Sequence, residues 1–174
     1  MYTIGHSTRS EKEFLGLLKA HGIQALIDVR RLPGSNRFPQ FNRDRLTRSL
    51  KKMEIQYVHI PELGGRRPAR KDSKNSAWRV AAFRGYADYM ETASFQKGLK
   101  RLLRLAKKKR VAVMCAEALP WRCHRRLIAD AVVAKGIPVF DIMTATRAVP
   151  HELPAWAQLK SGRVRYPGPH VEAA

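Results

Sequence analysis

Apolar and polar positions along the chain change period several times, and the changes mark alternating strands and helices. Residues 2–4 read as a short strand that starts almost at once. Ser10-Glu-Lys-Glu13 is a capping box, in which the serine oxygen accepts a backbone N–H and the glutamate reaches back. Phe14, Leu17, Leu18 and Ala20 then recur at helical spacing until Gly22 stops the helix. Residues 23–29 form a second strand, broken by Pro33, Gly34 and Ser35. Asn42 opens a helix marked by Leu46, Leu50 and Met53, and 55–60 alternates as a third strand. Helices are predicted over 80–92 and 95–109. The apolar run 110–115 is a fourth strand of the kind buried on both faces of a parallel sheet. Leu127, Ile128, Ala131 and Val132 mark a further helix, stopped by Gly136, and 138–142 is the fifth strand. After Thr144, Pro150, Pro154, Pro167 and Pro169 predict a mostly irregular segment.

Strands alternating with helices predict a Rossmann-like α/β fold, with a mostly parallel five-stranded sheet and helices on both faces. One domain is expected over 1–143, with 144–174 packed on it or trailing from it. Ligands in such sheets bind beyond the carboxyl ends of the strands. The polar residues of this chain gather there, as Gly5-His6-Ser7, Asp28-Val-Arg30, Tyr57-Val-His59 and Cys115-Ala-Glu117.

Composition narrows the setting. A chain of 174 residues with 44% apolar content can bury one real core. No apolar run approaches the ~20 residues that cross a bilayer, so no membrane partner is expected. The N-terminus lacks the charged and apolar stretches of a secretory signal, and a cytoplasmic protein is expected. Cys115 and Cys123 are the only cysteines, too few for a disulfide scaffold, and both are expected to be reduced.

Charge adds a partner class. Lys and Arg number 34 against 14 acids, for a net charge of +20. Such a field attracts an anionic small molecule or a nucleic acid. The aperiodic stretch 64–79 carries Arg66, Arg67, Arg70, Lys71, Lys74 and Arg79 against Asp72 alone. In the 95–109 helix, Lys97, Lys100, Arg101, Arg104, Lys107 and Lys108 share one face, opposite Phe95, Leu99, Leu102, Leu103 and Ala106. Like charges at these spacings repel, and a polyanion would relieve them. The competing reading is a solvated face.

Candidate chemistry centres on Cys115. It ends an apolar strand, and Cys123-His124-Arg125 opens the next helix. A thiol facing a helix N-terminus and guanidinium groups has a lowered pKa and is a better nucleophile. The layout is similar to cysteine phosphatases and sulfurtransferases, in which a strand-end cysteine sits in an arginine-closed loop. The loop to Arg122 is one residue too long for the phosphatase signature, and Ala116, Ala118 and Pro120 replace its glycine. The alternative is a buried structural thiol. The spacing of Cys115, Cys123, His124 and His6 lacks the short ligand pairs of structural zinc sites, so no metal is expected, and no cofactor. His6 is a candidate acid or base, and Gly5 before it permits a sharp turn. The strand ends at Asp28, which brings Asp28 and Arg30 to the crevice together. Acids are scarce, so Asp28 and Glu117 at strand ends stand out.

The order Thr3-Ile-Gly-His-Ser7, Leu26-Ile-Asp-Val-Arg30 with Pro33 and Ser35, Tyr57-Val-His-Ile-Pro61 with Leu63-Gly-Gly65, and Cys115-Ala-Glu117 with Cys123-His-Arg125 resembles the family known as domain of unknown function 488. Tyr166-Pro167 extends the resemblance to the C-terminal end. It implies a Rossmann-like fold and the same site residues, and it carries no settled activity.

The expectation is therefore an enzyme acting on an anionic, phosphate-bearing, nucleotide or nucleic-acid substrate. Cys115 is the expected nucleophile or redox thiol. His6, His124, Asp28 and Glu117 are the expected proton carriers, and Arg30 and Arg125 the anion holders. Ser7, Tyr57, Gly64, Gly65 and Cys123 complete the expected substrate site. The alternative is a basic nucleic-acid-binding module whose contacts run through Lys97, Lys100, Arg101, Arg104 and Lys108.

Overall fold

The computed structural model describes residues 1–168, so the end of the 144–174 segment, Pro169 included, lies outside the described residues. The strands are β1 (Tyr2–Gly5), β2 (Ala25–Asp28), β3 (Gln56–His59), β4 (Val111–Cys115), β5 (Phe140–Ile142), β6 (Ala148–Pro150), β7 (Gln158–Lys160) and β8 (Arg163–Arg165). The helices are α1 (Glu11–Ala20), α2 (Arg43–Lys52), α3 (Ala81–Met90), α4 (Ala93–Ala106) and α5 (Arg125–Val133). The fold is the expected Rossmann-like α/β arrangement. The central sheet runs β3-β2-β4-β1-β5-β6, with β6 antiparallel to β5 and every other pairing parallel.

The sheet has six strands where five were expected. The sixth comes from the proline-rich segment: β6 lies on the free edge of β5, where Pro150 needs no ladder partner on its outer side. The same segment adds the β7–β8 hairpin, turning at Ser161 and Gly162 with positive φ. Tyr166 then buries its ring beyond the hairpin.

Strand alternation splits the core into two. Ile4, Leu26, Ala112 and Met114 face α1 and α2. Ala25, Ile27, Val113 and Cys115 face α3, α4 and α5. The chain leaves β1 for α1 on one face and leaves β4 for α5 on the other, and β1 and β4 are neighbours. Their loops therefore part at a topological switch point, where such sheets hold ligands. Of the sequence-predicted helices, 80–92 is Ala81–Met90, and 95–109 begins earlier, at Ala93, capped by Thr92, whose hydroxyl accepts the Phe95 N–H. The aperiodic 64–79 stretch is held by buried Asp88. Its carboxylate accepts from Arg70 N (2.9 Å), Ser73 Oγ (2.6 Å) and Asn75 Nδ2 (2.9 Å).

Candidate active site

The switch point is tightly built. His6 N donates to Cys115 O and Ser7 N to Ala116 O, both at 3.0 Å, so the two loops stay zipped past the strand ends. A Cβ at Gly5 would lie 1.8 Å from Glu117 O, so only glycine lets the 116–122 loop approach β1 this closely. Ser7 takes φ 49, the left-handed region that non-glycine residues rarely occupy.

On the α1/α2 face lies a carboxylate network. Asp28 takes three side-chain bonds from Arg30, Nε to Oδ1 at 2.9 Å and to Oδ2 at 3.2 Å, and Nη2 to Oδ2 at 2.6 Å. It also accepts from Arg30 N at 3.0 Å and from the Tyr57 hydroxyl at 2.7 Å. Burial first, then the Asp28 charge, pushes the Tyr57 phenol well up, so it stays a donor. Arg30 Nη2 also reaches Phe41 O at 2.8 Å, and its Nη1 stands 3.5 Å from His6 Nε2. His6 stacks on Phe41 with centroids 4.3 Å apart, and its Nδ1 pairs with Ser7 O. Burial, with the Arg30 and Arg125 charges adding to it, lowers its pKa to about 4, so the ring is neutral at pH 7.

On the α3–α5 face lies a thiol network. Cys115 Sγ and Cys123 Sγ are 2.7 Å apart and both cysteines are free. Arg125 Nη1 donates to Cys115 Sγ at 2.8 Å and to Glu117 O at 2.5 Å, and Nη2 donates to Ala118 O at 2.7 Å. Burial opposes ionisation of Cys115, but the Cys123 hydrogen bond and the Arg125 charge outweigh it and hold the thiol down. Cys123, the donor to its neighbour and itself buried, is pushed well up and keeps its proton. Its sulfur also accepts the Arg125 N–H at 3.5 Å, at the start of α5. His124 packs against Tyr86 and Gly65, where a Cβ would lie 2.8 Å from its Nδ1. Burial lowers this imidazole to about 4 as well.

All the expected strand-end residues reach the switch edge, but the sheet divides them between its faces. Four depart from their expected uses. The Glu117 carboxylate is exposed and caps the Ala118 N–H; it is the Glu117 carbonyl that serves the site. Arg30 and Arg125 spend their donors inside the protein, so neither guanidinium is open to an incoming anion. Gly64 backs onto Arg31 rather than onto the thiols. Of the basic α4 residues, Arg101 donates to His59 O, and the His59 ring pairs with Arg30 O at 2.8 Å.

Sequence reasoning missed a buried chain behind Arg125. Arg125 Nε donates to Thr3 Oγ1 at 3.2 Å, and the Thr3 hydroxyl donates to Asp141. Asp141 meets His151 Nδ1 at 3.5 Å, and His151 Nε2 bonds Asp130 at 2.6 Å, which also accepts the Tyr166 hydroxyl. Burial disfavours the charged imidazole, yet the two aspartates win and raise its pKa to about 9. Asp130 inside Leu127-Ile-Ala-Asp-Ala-Val and Asp141 inside Val139-Phe-Asp-Ile were legible as acids in apolar runs.

A cleft of about 640 Å³ opens between Trp121 and β6, with Asp141 and His151 in its wall and neither cysteine in its lining. Arg126 and Arg147 line it, and Trp121 is half exposed. Among the described residues no three His, Cys, Asp or Glu side chains are grouped to hold a metal ion. No helix among them is long and apolar enough to cross a membrane.

Fold and site define an α/β protein with a thiol–arginine pair at the switch point of a parallel sheet. The family model described as domain of unknown function DUF488 matches residues 10–132, and the chain belongs to that family. The matched span includes Asp28, Arg30, Cys115, Cys123 and Arg125 and ends before Asp141 and His151. No curated protein and no solved structure gives a match.

Proposed function

We propose that the protein is a thiol enzyme acting on an anionic, phosphate-bearing substrate, with Cys115 as nucleophile. The observation that carries this reading is the Arg125 Nη1 contact, 2.8 Å from Cys115 Sγ in a water-poor setting. Arginine cannot give up its proton, so it favours the thiolate at all working pH values. Cys123, protonated, donates to that thiolate and keeps it oriented. His6 and His124 are neutral at pH 7 and do not supply protons.

The substrate sits in the cleft between Trp121 and β6, whose size falls in the roughly 300–1,000 Å³ range of small-molecule sites. Arg126 and Arg147 hold its phosphate, and the Trp121 indole stacks on an aromatic portion such as a base. Cys115 is 3% exposed, so the loop carrying Pro120 and Trp121 moves aside as the substrate enters.

Iodoacetamide labelling against pH tests the nucleophile. Cys115 should label with a midpoint below the ordinary ~8.5, and adenosine monophosphate should protect it. Cys115→Ser should abolish labelling at that position and leave Tm nearly unchanged. Slow, equal labelling of both thiols from about pH 6 to about pH 9 sinks this reading.

A second reading is a nucleic-acid interface. Lys97, Lys100, Arg104, Lys107 and Lys108 are exposed, and among the described residues no carboxylate pairs with them. Affinity for duplex DNA should then fall steeply with salt, and Lys100→Gln, Arg101→Gln and Arg104→Gln together should weaken binding to all sequences alike. Absence of binding at low salt leaves only a solvated face.

A further inference from the structure

We infer that Cys115 and Cys123 form a two-cysteine peroxide-reducing pair, in which Cys115 is oxidised first and Cys123 resolves it to an intramolecular disulfide. The inference shares its nucleophile with the thiol-enzyme reading but needs neither the cleft nor an anionic substrate.

Geometry carries it. The sulfurs are 2.7 Å apart, within about 1 Å of bonding distance, across an eight-residue separation in sequence. Disulfide closure therefore needs a small shift of two side chains and no rearrangement of the sheet. The pair is also asymmetric. Cys115 faces the Arg125 guanidinium, which favours its thiolate, and Cys123 holds a proton toward it. One thiol is thus prepared to attack and the other to follow. Burial selects the oxidant. With Cys115 and Cys123 3% and 5% exposed, a bulky disulfide cannot reach either sulfur in this closed state, whereas a hydroperoxide of water-like size needs only a brief opening of the 116–122 loop.

The chemistry balances. The Cys115 thiolate attacks the distal oxygen of the hydroperoxide; an S–O bond forms, the O–O bond breaks, and the departing alkoxide or hydroxide takes a proton from water. The resulting sulfenic acid is attacked by Cys123 sulfur. An S–S bond forms, the S–O bond breaks, and hydroxide leaves with the Cys123 proton as water. Two thiols and one hydroperoxide become one disulfide, one alcohol (or water) and one further water. The Arg125 guanidinium holds the attacking sulfur as a thiolate until the S–O bond forms. The thiolate is then consumed, so oxidation also shuts off Cys115 as a nucleophile until a thiol reductant restores it.

The test uses the reduced full chain and hydrogen peroxide. After a stoichiometric addition, the protein is unfolded, its free thiols are blocked with N-ethylmaleimide, and its intact mass is read. Both thiols should disappear together with loss of two hydrogens, and dithiothreitol should restore both. The reaction should run at least about tenfold faster in the folded chain than in the same chain in urea, because folding holds the sulfurs together. Cys123→Ser should stop at a sulfenic acid on Cys115, trapped by dimedone, and Cys115→Ser should leave Cys123 reduced. Two free thiols after peroxide, equal rates in folded and unfolded chains, or oxidation that starts at Cys123 overturns the inference. The folded-against-unfolded comparison uses only the wild-type chain and holds even where a variant fails to fold. Low-pH labelling of Cys115 without disulfide formation would leave the thiol-enzyme reading standing while removing this one.

Discussion

Two buried arginines stand at the same sheet edge, Arg30 on the α1/α2 face and Arg125 on the α3–α5 face. Arg30 is matched by Asp28, whose carboxylate also accepts the Tyr57 hydroxyl. Arg125 is matched by a thiol and two backbone carbonyls. The difference lies in what each partner can do when the arginine or its mate is lost. A thiolate can take up a proton and become neutral; an arginine cannot lose one. The Asp28–Arg30 pair, held by several hydrogen bonds and closed by the Tyr57 hydroxyl, is a fixed strut, and the Cys115–Arg125 pair is an adjustable one. Chemistry is expected on the side whose charge can change.

The largest effect that would break this contrast is on the strut. Asp28→Asn leaves the Arg30 cation buried without a counter-ion and should cost about 3–5 kcal/mol by urea unfolding. The pH profile of Cys115 labelling should stay as in the wild type. If that profile moves with Asp28, the two faces are one site and the division fails.

Removing Arg125 should cost less in stability and more in chemistry. Arg125→Met strands the Glu117 and Ala118 carbonyls, a loss of about 2 kcal/mol, while the thiol escapes penalty by staying protonated. The labelling midpoint of Cys115 should rise toward the ordinary ~8.5. An unchanged midpoint would show that Arg125 is only a loop clamp.

A smaller effect sharpens the thiol side through pH. The folded pKa of His151 is raised from 6.5 to about 9, so its pairing with Asp130 and Asp141 is fully present below 6.5 and lost as pH climbs through about 9. Thermal melts should show Tm falling by a few degrees over that window, and His151→Gln should flatten the fall. His6 and His124 give the opposite slope. Their folded pKa is lowered to about 4, so their contribution is present above 6.5 and drains away as pH falls toward 4.

Tyr57→Phe is the finest probe. It removes one donor from Asp28 and leaves the four Arg30 bonds, so a loss of about 1 kcal/mol is expected, with thiol labelling unaltered.

Much of this was legible in the chain itself. Period changes placed the five parallel strands, because a strand buried on both faces must be apolar and a covering helix must be amphipathic. Glycine and polar residues just after those strands marked the edge where the site lies, because backbone leaving a sheet needs turns and polar partners. Cys115 and the Cys123-His124-Arg125 run were visible for the same reason. β6 was hidden because an edge strand of three residues with a proline has no period to read. The Thr3–Asp141–His151–Asp130 chain was hidden because its members lie far apart in sequence, and only their convergence gives buried acids a purpose.

By itself, then, the sequence determined which residues stand at strand ends, since local hydrophobic period and turn chemistry are properties of neighbours along the chain. Tertiary structure alone decided the strand order that makes β1 and β4 adjacent and sends their loops to opposite faces. That choice separates Asp28 from Cys115, brings Cys115 Sγ to Cys123 Sγ and Arg125, and uses up the donors of both arginines internally. Such contacts depend on how whole layers pack against the sheet, and no run of neighbouring residues encodes them.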